Sequence, residues 1–194
     1  MTAREEILAG VRRALEGARR DVEVPRGYRT PGPADVDLFI ERVEDYRAVV
    51  VRCAPDEVEQ QIAAALGPGA RAVVPAGLGW AVPGAVADEG LSAADLDRLD
   101  AVVTGSTLGI AATGTIVLQH GEGQGRRAIT LVPDLHVCVV RADEVVADVP
   151  DAVALLDPSR PTTWISGPSA TSDIELDRVE GVHGPRRLHV LVVG

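Results

Sequence analysis

The chain has 194 residues and a formal charge of −10, enough length for one sizeable core and the wrong sign for nucleic acid, which needs clustered cations to displace counterions. Only five aromatic side chains are present, leaving little for base stacking. There is no lysine, since all nineteen basic residues are arginine, so a Schiff-base lysine, a Walker lysine and a Ser–Lys dyad are excluded.

Thr2-Ala-Arg-Glu5 has the form of a capping box. Ile7, Val11, Ala14, Leu15 and Ala18 then recur at helical spacing, so an amphipathic N-terminal helix of about four turns is expected. Its apolar stripe needs a surface to dock on, either the body or a partner, and a homo-oligomer is one way to supply it. Met1–Arg20 is charged throughout and unlike a signal peptide, and no run approaches the ~20 apolar residues of a membrane span. The expectation is a soluble, cytoplasmic protein. Pro25, Pro31 and Pro33 mark an extended arm, dividing the chain into residues 1–34 and a single α/β domain over 35–194.

From Asp35 the pattern predicts a helix through Val43 and a strand at Ala48–Val51. A helix over Pro55–Leu66 and a strand at Ala70–Val74 follow. These nearly continuous apolar strands suit a sheet covered on both faces. Ser92 caps a short helix before a strand at Ala101–Thr104. Thr113–Gln119, Ala128–Pro133 and His136–Arg141 read as three strands, the first two flanking the glycine-rich, hairpin-type loop His120–Arg127. Asp143–Leu156 reads as helix, Thr163–Ser166 as strand and Arg187–Val193 as a last buried strand. The sum is a three-layer α/β/α domain with a mixed, mostly parallel sheet.

Three glycine-and-hydroxyl turns adjoin predicted strands: Thr104–Thr107, Ala112–Thr115 and Ser166–Ser169. Ligands of α/β sheets gather where loops converge at strand ends. Ser166, Gly167, Ser169, Thr171, Thr113, Gly114 and Thr115 are therefore candidates to line a site for a small carboxylate or phosphate. Arg126 is the candidate guanidinium, with Arg127 beside it on the same loop. His183, bracketed by Gly181 and Gly184-Pro185, is a candidate to hold or move a proton, with Asp173 and Glu175 as candidate catalytic carboxylates. His136 and Cys138 share a strand face and read as a satisfied core pair. No metal spacing and no dinucleotide fingerprint occurs, so no metal and no cofactor is expected. Cys53 and Cys138 are too few for an iron–sulfur cluster.

Several of these residues closely resemble the LutC/YkgG family, the lactate utilization protein C or LUD-domain proteins. They are Thr113-Gly-Thr-Ile-Val-Leu118, Gly125-Arg126 with Leu131-Val-Pro133, His136–Val140, and Ile165-Ser-Gly-Pro-Ser169 with Asp173-Ile-Glu175 and Gly181-Val-His-Gly-Pro185. The likeness runs over nearly the whole chain. It implies a fold similar to the NagB/RpiA/CoA-transferase group. It also implies a role beside two iron–sulfur partner proteins in oxidising L-lactate to pyruvate. Ala112 departs from the pattern, because the family usually has an acid there. A stand-alone enzyme of the sugar-phosphate isomerase or acyl-transfer kind, or a non-catalytic binding module, are the other readings.

Overall fold

The computed structural model describes residues 2–18, 24–25, 27, 32–168 and 184–194, with the backbone of 170–171 and 179–180. Two compact units, 1–30 and 31–194, divide the chain. In the first, α1 (Ala3–Ala14) begins at the capping box: Thr2 accepts from the Glu5 N–H, and Glu5 accepts from the Thr2 N–H. Along α1 and just past it, Ile7, Val11 and Leu15 are exposed.

In the second unit, α2 (Val36–Asp45) starts where Asp35 caps the Leu38 N–H at 3.0 Å. Next come β1 (Val49–Cys53), α3 (Val58–Leu66), β2 (Ala72–Val74), β3 (Ala85–Ala87), α4 (Ala93–Leu96) and β4 (Ala101–Thr104). The short strands β5 (Leu108–Ile110) and β6 (Thr115–Leu118) precede the long β7 (Leu135–Arg141). Then follow β8 (Val145–Val146), α5 (Val149–Leu155), β9 (Thr163–Ile165), β10 (Ala170–Thr171), β11 (Val179–Glu180) and β12 (Arg187–Val193).

Six strands form one wholly parallel sheet in the order β1-β12-β7-β4-β2-β3. A separate four-stranded sheet, β8-β5-β6-β9, is antiparallel except for the parallel pair β5 and β8, and β10 and β11 form a third, two-stranded antiparallel sheet. The α/β class therefore holds, with the antiparallel pairings outside the large sheet. One face of the large sheet packs Ala72, Ala101, Val103, Val137, Val139 and Leu191 against Val58 and Ile62 of α3. The opposite face packs Cys138, Val140, Leu188, Val190 and Val192 against Phe39 and Val43 of α2 and against Ile116 and Leu118 of the second sheet. Gly109 makes this approach possible, since a Cβ there would stand 2.9 Å from the Phe39 ring. The outer side of the second sheet is closed by Ala152 of α5 over Leu108, Ile110 and Val117.

Two expected elements differ. Ala128–Pro133 is not a strand, so the loop before it closes no hairpin; Arg127–Thr130 is instead a 3₁₀ turn. The Thr130 hydroxyl donates to the Arg127 carbonyl at 3.1 Å, and Ile129 inserts beside Val73, Leu96 and Val102. A β-branched residue is here claimed by a local hydroxyl bond and a core socket rather than by a ladder. Nor is Asp143–Leu156 one helix. Val145 and Val146 pair with Gly109 and Ile110, and α5 starts afresh at the Asp148 cap. Pro150 fits only a first turn, so the helix cannot run back through it.

Candidate functional site

Two hydroxyl-bearing turns meet although about fifty residues separate them in sequence. Thr113 and Thr115 lie 2.8 Å apart through their hydroxyls, and Thr115 Oγ1 is 2.9 Å from Ser166 Oγ. Both turns abut the end of α2, and both need glycine to do so. Gly114 has φ +59 and Gly167 φ +84, and a Cβ would collide with Arg42 at the first and Tyr46 at the second.

Ser166 and Gly167 open onto a cavity of about 220 Å³, between the second sheet's edge strand β9 and the amino ends of β7 and β12. Its wall comprises Arg127 and Thr130 from the 3₁₀ turn, His136 from β7 and Leu188 from β12. Thr163, Trp164 and Ile165 come from β9, and Pro168, Gly184 and Pro185 complete it. The cavity thus sits on a face of the parallel sheet, near the strands' amino ends rather than beyond their carboxyl ends. The second sheet makes this possible by laying β9 across that face.

Among the described residues, Arg127 is the charged group of this wall. Its Nη1 donates to Thr130 Oγ1 at 2.9 Å and to the Thr130 carbonyl at 3.2 Å, and no carboxylate pairs with it among the described residues. Burial draws its pKa down from the usual value, yet a guanidinium remains cationic in neutral solution. His136, 2% exposed, stands with Nε2 2.8 Å from Thr104 Oγ1. Burial first, and the Arg127 charge second, push its pKa down to about 4, so the ring is neutral. Cys138, two residues on, lies 3.7 Å from the same Thr104 hydroxyl, and burial lifts its thiol to about 12. His136 and Cys138 are thus a satisfied buried pair, as their strand spacing suggests, but His136 also faces the cavity.

Arg126 points elsewhere. Its Nε and Nη2 grip the two oxygens of Asp88 at 2.7 and 2.9 Å, and Nη2 also donates to the Leu91 carbonyl. That hydrogen bonding holds the Asp88 carboxyl below its usual range and raises Arg126 above its own. The pair borders a neighbouring depression of about 550 Å³ that His120, Glu122 and Arg127 also line. His120 spans the gap between the two hollows: Nδ1 is 2.9 Å from the Gly125 carbonyl and Nε2 2.7 Å from Thr163 Oγ1.

Of the sequence candidates, the structure brings Ser166, Gly167, Thr113, Gly114 and Thr115 together, and sets Arg126 in the adjoining depression. Thr171 lies in β10, paired with Val179 of β11. Ser169, Asp173, Glu175 and His183 lie outside the described residues, although Pro168 and Gly184, which flank that stretch, both line the cavity. Ala112 is exposed, its N–H bonded to the Ala147 carbonyl at 3.1 Å. Sequence reasoning missed Thr130, Thr163 and Trp164 as lining groups, and took His136 for core alone. For His136 the available signal was its place two residues from Cys138 in a largely apolar strand; Thr130, in a 3₁₀ turn, and Trp164 offered no such pattern.

The fold and cavity define an α/β protein in which a second sheet, laid across a parallel one, frames a pocket for a small molecule's dimensions. The LUD domain family matches residues 85–193. Lactate utilization protein C of Deinococcus radiodurans is 47% identical over 205 residues, covering 99% of this chain and 96% of that one. The protein of the same name from Bacillus licheniformis is 31% identical over 123 residues, covering 59% of this chain and 50% of that one. A crystal structure of a duf162 family protein from Deinococcus radiodurans aligns with a TM-score of 0.71 at 43% identity, covering 82% of this chain and 96% of that one. The chain belongs to the LUD-domain family, in its lactate utilization protein C group.

Proposed function

We propose that this chain serves lactate utilization as a subunit without a redox centre of its own, acting beside iron–sulfur partner proteins that oxidise L-lactate to pyruvate. The observation that carries the reading is its likeness, along almost its entire length, to a protein named for lactate utilization. Two cysteines, one packed on each face of the large sheet, cannot supply the about four thiolates that a cluster takes, which leaves electron transfer to the partners. The contribution of this chain is a pocket for a small carboxylate. Arg127 supplies an exposed cation at the cavity wall, whose guanidinium can pair with a carboxylate. Thr130, Thr163 and Ser166 add hydroxyls, and Trp164, Ile165 and Leu188 an apolar wall.

The deciding experiment is lactate-driven reduction of a dye by the iron–sulfur partners, with and without the full-length chain. The expected result is turnover only when this chain is present. An undiminished rate in its absence overturns the reading.

A further inference from the structure

We propose that the hollow at the amino ends of β1, β12 and β7 is a second site, taking an anion of two or more linked phosphoryl groups. It borders the β9 cavity through Pro168 and Leu188 but shares no cation with it, so it stands or falls apart from the small-carboxylate reading.

Val49 opens β1 and Leu135 opens β7, while β12 lies between them, pairing Arg187 with Leu135 and His189 with Val49. The cavity at these strand ends measures about 280 Å³. Its wall carries three arginines, Arg47, Arg186 and Arg187, together with His189, and among the described residues no carboxylate lines it. The chain as a whole has the opposite balance, with 29 acidic residues to 19 basic ones. Like charges gathered around one hollow repel one another, and an anion between them turns that repulsion into attraction.

These cations are available. Arg42, Arg52, Arg98, Arg126 and Arg141 each meet a carboxylate elsewhere on the chain. Arg186 makes one exposed ion pair, to Asp134 at 3.4 Å, and Asp134 stands outside the lining. The Arg47 and Arg187 guanidiniums and the His189 ring have no side-chain partner among the described residues. Burial draws the His189 pKa below its ordinary value, so in neutral solution the ring adds a hydrogen bond and the guanidiniums supply the charge.

Arg47 reaches the hollow from a strained position. It follows the end of α2, where its N–H donates to the Glu44 carbonyl at 2.7 Å, and its φ is +66. Glycine is the usual occupant of a left-handed helix cap, because a Cβ is crowded there. Arginine in that place gives up backbone ease and sets a guanidinium on the cavity wall. Guanidinium forks match phosphoryl oxygens, and three forks exceed what one monocarboxylate can occupy. Two linked phosphoryl groups carry acceptors and charge for all three.

Titration calorimetry of the full-length chain at low salt, with inorganic phosphate, inorganic diphosphate and ADP, tests this. Diphosphate or ADP should bind about tenfold or more tightly than phosphate, and less tightly once salt screens the cluster. Equal affinity for the two means that recognition ends at the phosphoryl groups; tighter binding of ADP means that a nucleotide supplies them. Arg187→Gln should weaken binding about tenfold, the loss of one charge-assisted bond. Arg47→Gly should weaken it similarly without lowering the urea midpoint of unfolding, because glycine relieves the strained turn. Arg186→Gln gives the same reading where either of these fails to fold. Diphosphate and ADP binding no more tightly than phosphate, or not at all, overturns the proposal. So does binding that Arg127→Gln weakens and the three variants of this hollow do not, since the phosphoryl groups then sit in the β9 cavity.

Discussion

The two faces of the six-stranded sheet come from the same strands and differ in kind. Toward α3, the residues that alternate inward are Ala, Val and Leu, with Cys53 at one edge. Toward the second sheet, Thr104, His136 and Cys138 interrupt the apolar pattern, each almost completely buried. The plain face needs only volume. The other carries a hydrogen-bonded polar row where β4 and β7 lie side by side, Thr104 facing Cys138 in register. Polar groups are tolerated in a core only when they are bonded to one another or reserved for a ligand. The contrast therefore separates what holds the fold from what the fold exposes to a small molecule.

The plain face should give the largest single effect. Ile62, fully buried between α3 and the sheet, loses packing and leaves a cavity when cut to alanine. Ile62→Ala should cost about 3–4 kcal/mol in urea unfolding, while carboxylate affinity of the folded protein stays unchanged. A matching fall in affinity would show that the two faces are not independent.

The polar face should instead show itself through pH. His136 has a folded pKa of about 4, below its ordinary 6.5, so the unfolded chain takes up a proton that the native chain refuses. Stability from this group is complete above pH of about 6.5 and is lost as pH falls toward about 4, to a total of about 3 kcal/mol. Denaturant titrations across that window should show the slope in the native sequence and a flatter profile in His136→Gln. An identical slope in both assigns the acid sensitivity to other groups.

A smaller effect concerns the cation of the cavity. Arg127→Gln should weaken carboxylate binding by about 2 kcal/mol, the loss of a charge-assisted bond, as read by titration calorimetry. Its stability cost should be slight, because among the described residues its side-chain bonds run only to Thr130.

How much of this contrast was written in the sequence depends on the range of the forces involved. Thr2 and Ser92 announced their helices because a cap is a local bond to a residue three places on. The long runs of β7 and β12 were legible because a central parallel strand is apolar on both sides. The second sheet was not, since β5 and β8 are held by pairing with each other and by the Gly109–Phe39 approach, which no local window contains. At the site, the hydroxyl turns were legible as residue types, but the bond between Thr115 and Ser166 spans 51 positions. His136 was legible as buried; that a buried histidine also walls a cavity depends on where β9 crosses the sheet.

The finest test lies between two adjacent arginines. Sequence alone makes Arg126 and Arg127 equivalent cations on one glycine-rich loop, yet their partners set them apart. Arg126 is committed by two bonds to Asp88, whose side chain is 7% exposed, and by a third to the Leu91 carbonyl. Removing it leaves a nearly buried carboxylate with the Leu91 N–H at 3.2 Å and without its cation. Arg126→Gln should therefore cost about 1 kcal/mol of stability, a modest figure because Arg126 itself is 42% exposed and water screens the pair. Adding Asp88→Asn should recover part of that loss, since the stranded charge goes with it. Carboxylate affinity should stay within about twofold of the native value, because this guanidinium is committed to Asp88 and does not line the β9 cavity. If Arg126→Gln instead weakens binding as much as Arg127→Gln does, the anion sits in the outer depression and displaces Asp88 from its arginine.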